Sequence, residues 1–222
     1  DRVVETFGQM GLDALVVIGG DGTLAIAHQF YLKGIPVVGV PKTIDNDIVG
    51  TTSCFGFDTA VSFAADAIDR LHTTAQSHKR IMVVEVMGRY AGWIALHAGM
   101  AGGADVILVP EIPYDIEKVA AHVRRRDEWG ANFSIVVVAE GARLNAEALA
   151  RYFKAHEARL GFDLRVCTLG HVQRGGAPGV ADRMLATRLG VAAIEHLHAG
   201  RDGVLVGIID GKVTGTPLAD VV

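Results

Sequence analysis

Val16-Val17-Ile18-Gly19-Gly20-Asp21-Gly22-Thr23 decides the fold, together with the run from Ile35 to Val40 and its sequel Pro41-Lys42-Thr43-Ile44-Asp45-Asn46-Asp47. The first apolar run ends in glycines that hold an aspartate. The second ends in a lysine and two aspartates. If both runs are parallel strands, their carboxyl ends share one rim of a sheet, which is where open α/β sheets bind ligands. That rim would carry three carboxylates, one ammonium and a loop with almost no side-chain bulk. The set suits a metal-bound polyphosphate better than a bare anion, because Asp21 alone repels phosphate.

Working outward, apolar runs alternate with longer amphipathic segments. Strands are expected at 14–20, 35–41, 81–86, 106–110, 133–140, 165–169 and 204–209. Several are continuous rather than alternating in polarity, as strands buried on both faces of a parallel sheet are. Helices are expected at 2–9, 23–33, 59–71, 91–100, 115–128, 146–160 and 180–198, with Asp115 and Asn145 as N-caps. The alternation predicts an α/β architecture. Thr51 to Phe57 and Arg174 to Gly179, both polar and glycine-bearing, are candidate crossings between two lobes. At 222 residues and half apolar, the chain is long enough for a sizeable core. Its net charge of −4 gives no support for a nucleic-acid or membrane-surface partner. No apolar run approaches the ~20 residues of a membrane helix. Cys54 and Cys167 read as reduced core thiols of a cytosolic protein. Arg124-Arg125-Arg126 reads as a solvated face late in a helix.

Gly20 to Ala25 fits the loose dinucleotide pattern G-x-G-x-x-A, with acidic residues about twenty positions on. Asp21 inside that loop argues against a cofactor pyrophosphate and for Mg²⁺-bound triphosphate, whose cation a carboxylate can hold. Thr23 and the N–H groups that open the helix can meet phosphate oxygens. The Walker pattern G-x-x-x-x-G-K-[ST] is absent, so a kinase here is of another kind. The blander reading of the loop is a tight strand–helix turn. For Thr43 to Asp47 it is a solvated turn. Opposite the first loop, one aspartate can act as general base toward a hydroxyl while the other supports the metal shell.

GGDGT, PKTIDND, VVEVMGRYAGW (Val83 to Trp93), VPE (Val109 to Glu111) and LGHVQRGG (Leu169 to Gly176) occur in one order. Together they resemble the 6-phosphofructokinases, specifically the ATP-dependent branch, from Leu15 to about Leu197. The resemblance implies two Rossmann-like three-layer lobes with mostly parallel sheets. The first, incomplete, would hold the nucleotide donor (1–55 with about 172–199); the second would hold fructose 6-phosphate (about 56–171 with 200–222). It implies phosphoryl transfer from Mg²⁺-bound ATP to the 1-hydroxyl of fructose 6-phosphate in the cytoplasm. Asp21 would hold Mg²⁺, with Gly20, Gly22 and Thr23 along the phosphates. Asp45 would take the hydroxyl proton. Thr43 and Arg89 would stabilise the transferring group, and Lys42 would offset charge on the donor. Met87, Gly88 and Glu111 would frame the sugar. Arg80, Arg165, His171 and Arg174 would surround its phosphate, because guanidinium engages two oxygens at once. In the family the counterparts of Arg80 and Arg165 reach in from a neighbouring subunit, so a homo-oligomer (dimer or tetramer) is expected.

Two positions disagree about the donor. In the family an aspartate at the Gly22 position accompanies pyrophosphate, whereas Lys42 is the residue that pyrophosphate users rely on. Gly22 carries more weight, because excluding ATP needs the missing side chain and a lysine excludes neither donor. The resemblance also implies a strand, a glycine-rich loop and a basic segment upstream of Asp1, so the chain is expected to be N-terminally truncated and inactive alone. Rival readings are a pyrophosphate-dependent phosphotransferase, a non-catalytic regulatory subunit and a dinucleotide-binding oxidoreductase. A regulatory subunit should have lost Asp21 or Asp45, and an oxidoreductase has no use for Gly170 to Gly176.

Overall fold

The computed structural model describes residues 2–156 and 163–222. In chain order these form α1 (Arg2–Gln9), β1 (Leu15–Gly19), α2 (Asp21–Leu32), β2 (Val37–Thr43), β3 (Phe55–Gly56), α3 (Phe57–His78) and β4 (Ile81–Val86). Then come α4 (Trp93–Ala101), β5 (Val106–Leu108), α5 (Ile116–Glu128), β6 (Ser134–Ala139), α6 (Ala146–Ala155) and β7 (Leu164–Thr168). A 3-10 turn (Gly170–Arg174), α7 (Val180–His198), β8 (Val204–Ile209), β9 (Lys212–Pro217) and α8 (Leu218–Val221) complete it. The expected alternation is present. The part of the expected 146–160 helix beyond residue 156 lies outside the described residues.

The chain divides into two compact units. The first runs to Asp58 and resumes over Pro178–Val222, and the second is Thr59–Ala177. The first unit holds a sheet in the order β1-β2-β8-β9, with β3 also pairing β2. All its pairs are parallel except β8 with β9. Leu24 and Ala27 of α2 and Leu218 of α8 bury one face with Val37 and Leu205. Leu189, Ala192 and Ala193 of α7 bury the other with Val38, Val40 and Val206. Two apolar faces on one sheet are what continuous apolar strands require. The second unit holds an all-parallel sheet, β5-β6-β4-β7. Every residue of β6 is buried there.

The structure departs from the sequence reading at several places. Residues 200–222, expected with the second lobe, lie in the first unit, because β8 pairs with β2 through Val38↔Val204 and Gly39↔Leu205. Residues 172–177, expected with the first lobe, lie in the second unit. No element is expected after Ile209, yet Lys212–Pro217 forms edge strand β9. Asp210 (φ 51°) and Gly211 (φ 74°) make the left-handed two-residue turn that twists a hairpin back on β8. Helix α3 outruns its expected end at Leu71, because Ala75 continues the buried stripe of Ala60, Ala64 and Ile68. Both expected caps are made: Asn145 Oδ1 accepts the Ala148 N–H (3.0 Å) and Asp115 Oδ1 the Glu117 N–H (2.9 Å).

Both cysteines are free thiols. Cys54 is 1 % exposed, and burial above all, with the Asp47 and Asp45 charges adding, pushes its pKa up to about 12 against a hydrogen bond to the Ile48 backbone. It stays protonated and inert. Titration with a thiol reagent at pH 8 should therefore leave Cys54 unmodified until denaturant is added. Modification of Cys54 at native rates would contradict its burial.

Candidate functional site

In the first unit the deciding feature is a register. β1 and β2 run parallel side by side with Gly19 opposite Pro41. The chain therefore leaves both strands on the same rim, into Gly20-Asp21-Gly22-Thr23 on one side and Lys42-Thr43-Ile44-Asp45 on the other. Gly20 is the N-cap of α2 and offers no side chain to it. The first N–H groups of an α-helix have no partner within it, so this end of α2 suits phosphate oxygens. Asp21 is the first residue of that helix and is exposed. The glycines differ in what they demand. A Cβ on Gly19 would sit 2.5 Å from the Thr23 side chain, so the strand needs that glycine for close passage. A Cβ on Gly22 would meet no atom within 4 Å. Nothing among the described residues therefore requires Gly22 to lack a side chain.

The second loop is built to hold Asp45. Thr43 ends β2, and its Oγ1 accepts the Asp45 N–H at 3.1 Å. A hydroxyl that accepts there keeps its O–H free to donate elsewhere. Asn46 adopts φ 54°, a left-handed conformation that asparagine tolerates better than most residues. Its Oδ1 accepts the Cys54 N–H at 2.8 Å and its amide nitrogen donates to Thr52 O at 3.4 Å. Thr52 is in turn bonded to Ile208 O at the end of β8, by its N–H (2.7 Å) and its hydroxyl (2.8 Å). The aspartate thus stands on a loop pinned to two strands. Lys42 is exposed and Asp45 half-buried.

Among the described residues no group of three or more His, Cys, Asp or Glu could hold a metal ion. Asp21 at the N-terminal end of α2 would instead suit a cation that comes bound to phosphates, which needs only one or two protein carboxylates.

In the second unit the carboxyl ends of β4, β5, β6 and β7 gather a second set. Met87, 6 % exposed, follows β4. Gly88 (φ 137°) and Arg89 (φ 54°) then turn the chain sharply. A Cβ on Gly88 would lie 2.3 Å from Ala91 O, so only glycine serves. Arg89 is held in its left-handed conformation by Glu140, whose Oε1 accepts the Arg89 N–H at 2.8 Å. Gly141 lets the two segments touch, since a Cβ there would lie 2.0 Å from Arg89 O. The Arg89 guanidinium lies 5.1 Å from the Tyr90 ring centroid. Glu111 follows β5, and its Oε1 accepts the Gly92 N–H that opens α4 (2.8 Å). That bond commits Oε1 of Glu111 to the fold. His171 and Arg174, both exposed, stand on the 3-10 turn after β7.

Met87, Gly88, Arg89, Glu111, His171 and Arg174 thus share one rim of the second sheet. Arg80 and Arg165 do not. Arg80 precedes β4 and Arg165 is the second residue of β7, at the amino ends of the same strands. Six residues of β4 separate the rims by roughly 20 Å. Both arginines converge on Asp163, Arg80 at 2.8 Å and Arg165 at 2.5 Å, leaving a net positive, partly exposed cluster. Glu140 belongs with the carboxyl-end rim of the second sheet although the sequence reading does not single it out. The available signal was a carboxylate directly after a continuous apolar strand.

A family profile for phosphofructokinase covers residues 1–197. The chain is 52% identical over 231 residues to the ATP-dependent 6-phosphofructokinase of Chloroflexus aggregans, covering 99% of this chain and 65% of that protein. It spans about 65% of the length of the curated relatives it matches. Among solved structures, phosphofructokinase from Saccharomyces cerevisiae superposes with a TM-score of 0.88 at 35% identity, over 96% of this chain and 33% of that one. Pyrophosphate-dependent phosphofructokinase from Marinobacter aquaeolei superposes with a TM-score of 0.85 at 28% identity, over 99% of this chain and 62% of that one.

Proposed function

Because the chain belongs to the phosphofructokinase family, we propose that it transfers the γ-phosphoryl group of Mg²⁺-bound ATP to the 1-hydroxyl of fructose 6-phosphate, in the cytoplasm. The observation that carries this reading is the shared rim of β1 and β2, which sets Asp21 and Asp45 on neighbouring strand ends. Mg²⁺ held on the donor phosphates at Asp21 would neutralise charge. Gly20 and Thr23 lie along those phosphates at the start of α2. Asp45 accepts the proton of the attacking hydroxyl. The Thr43 hydroxyl, its acceptor side occupied by the Asp45 N–H, donates to the transferring group. Arg89 adds positive charge to it, and Lys42 stands on the rim as a further cation. Phosphoryl transfer rests mainly on positioning and charge stabilisation, and these side chains supply both. In the second unit Met87, Gly88 and Glu111 frame the sugar, while His171 and Arg174 take its phosphate. Arg80 and Arg165 serve the same phosphate from a neighbouring copy, so the working form is a homo-oligomer.

ATP is the donor on this reading because Gly22 leaves its space open. The full-length gene product should turn over fructose 6-phosphate with ATP/Mg²⁺ much faster than with pyrophosphate/Mg²⁺. Faster turnover with pyrophosphate would reverse the donor assignment. Gly22→Asp is a clean probe, since the added side chain meets no protein atom within 4 Å at its Cβ. It should lower kcat/KM for ATP by about 10²-fold, the scale of a like charge set against phosphate, with a smaller loss for pyrophosphate. Equal losses with both donors would undo the steric argument.

A further inference from the structure

Gln173 sits inside the Leu169–Gly176 segment, yet its side chain is buried. It is 2 % exposed, while its neighbours His171, Val172 and Arg174 are exposed. Buried amides are costly unless both ends are bonded. Here both are: Oε1 accepts the Met87 N–H at 3.2 Å, and Nε2 donates to Gly170 O at 3.0 Å. The first bond joins two elements, and the second closes the 3-10 turn on itself and fixes the amide within it. Met87 begins the turn that carries Gly88 and Arg89 at the end of β4. Gly170, in a left-handed conformation (φ 58°), begins the 3-10 turn that carries His171 and Arg174. The Leu169 N–H donates to Glu85 O at 3.0 Å, which continues the β4–β7 pairing up to the start of the turn. Beyond it the turn leaves the sheet, and the buried Gln173 amide supports it from inside.

We propose that Gln173 is a positioning residue for the sugar phosphate, fixing the His171–Arg174 turn relative to the Met87–Arg89 turn so that phosphate-binding and sugar-framing groups keep one spacing. The proposal rests on the fructose 6-phosphate reading of that rim. A side chain acting through others in this way orients them as second ligand shells do elsewhere, and sites held loosely lose affinity before they lose chemistry.

The test uses the full-length gene product. Gln173→Met keeps the volume and deletes both bonds. It should raise the KM and the calorimetric Kd for fructose 6-phosphate about tenfold, the weight of a lost buried hydrogen bond, with the KM for ATP within about twofold of the parent. Gln173→Glu keeps the acceptor for the Met87 N–H and sets a carboxylate oxygen against the Gly170 carbonyl. It should give the same selective rise, and it carries the test if the methionine variant does not fold. Arg174→Ala is the reference. If it raises the fructose 6-phosphate KM while both Gln173 variants bind like the parent, or only lower the unfolding midpoint, the positioning role is overturned and the sugar-phosphate reading stands. If Arg174→Ala and the Gln173 variants all leave fructose 6-phosphate binding unchanged, the sugar-phosphate reading falls and this role with it.

Discussion

Asp45→Asn should lower kcat by about 10²–10⁴-fold, the range that removing a general base costs. The KM values for ATP and fructose 6-phosphate should stay within about threefold, because the lost interaction is realised only as the proton leaves. The structure makes this a discriminating substitution. Asp45 is held through its backbone N–H by Thr43 Oγ1, and asparagine keeps that N–H. The neighbouring Asn46 carries the loop's other anchors, to Cys54 and Thr52. The variant should therefore unfold at nearly the parent's temperature, and the loss of rate can be assigned to the missing proton acceptor. A change in kcat below about threefold would remove Asp45 from the role of base. Loss of rate together with a large rise in both KM values would instead mean that the loop had moved.

How far the sequence exposed this arrangement depends on the kind of interaction involved. The parallel strands were legible because burial on both faces demands continuous apolar runs, and Val37 to Val40 and Ser134 to Ala139 are buried throughout. The same-rim placement of Asp21 and Asp45 followed once the two runs were read as parallel neighbours. Local caps such as Asn145 were legible because donor and acceptor lie three residues apart. Interactions made across the chain were not. Nothing near Gln173 in sequence announces a partner at Met87, 86 positions away, and Glu140 finds Arg89 only because β6 pairs with β4. The hairpin β8–β9 was half visible. Its first strand is apolar, but its edge strand, Lys212-Val213-Thr214-Gly215-Thr216-Pro217, carries a single aliphatic side chain, since an edge facing water needs no continuous apolar run. The pattern therefore leaves 200–222 with the second lobe, whereas the β8–β2 pairing carries it into the first unit.

Mixing two crippled variants should restore activity. Asp45→Asn removes the proposed base, and Arg165→Ala removes a phosphate ligand that this reading places in a neighbouring subunit's site. Arg165→Ala alone should lower kcat/KM for fructose 6-phosphate by about 10²-fold, as truncating one partner of a charge-assisted contact does. The structure motivates the experiment. Arg80 and Arg165 emerge at the amino ends of β4 and β7, whereas Arg89, His171 and Arg174 emerge at the carboxyl ends. A strand length is too far for both groups to grip one phosphate within a single chain. Both arginines also lean on one carboxylate, Asp163, so the cluster is prearranged and retains positive charge to present outward. In a two-fold hybrid, one site then carries both substitutions and the other carries neither. After denaturation and co-refolding of equal amounts, half of the pairs are hybrids, and about a quarter of all sites are intact, so about a quarter of the parent activity should return. Refolded singly, each variant should stay at its own low rate. If the mixture gives only the sum of the two separate rates although hybrids have formed, Arg165 serves its own chain or none, and the sites are not shared between subunits.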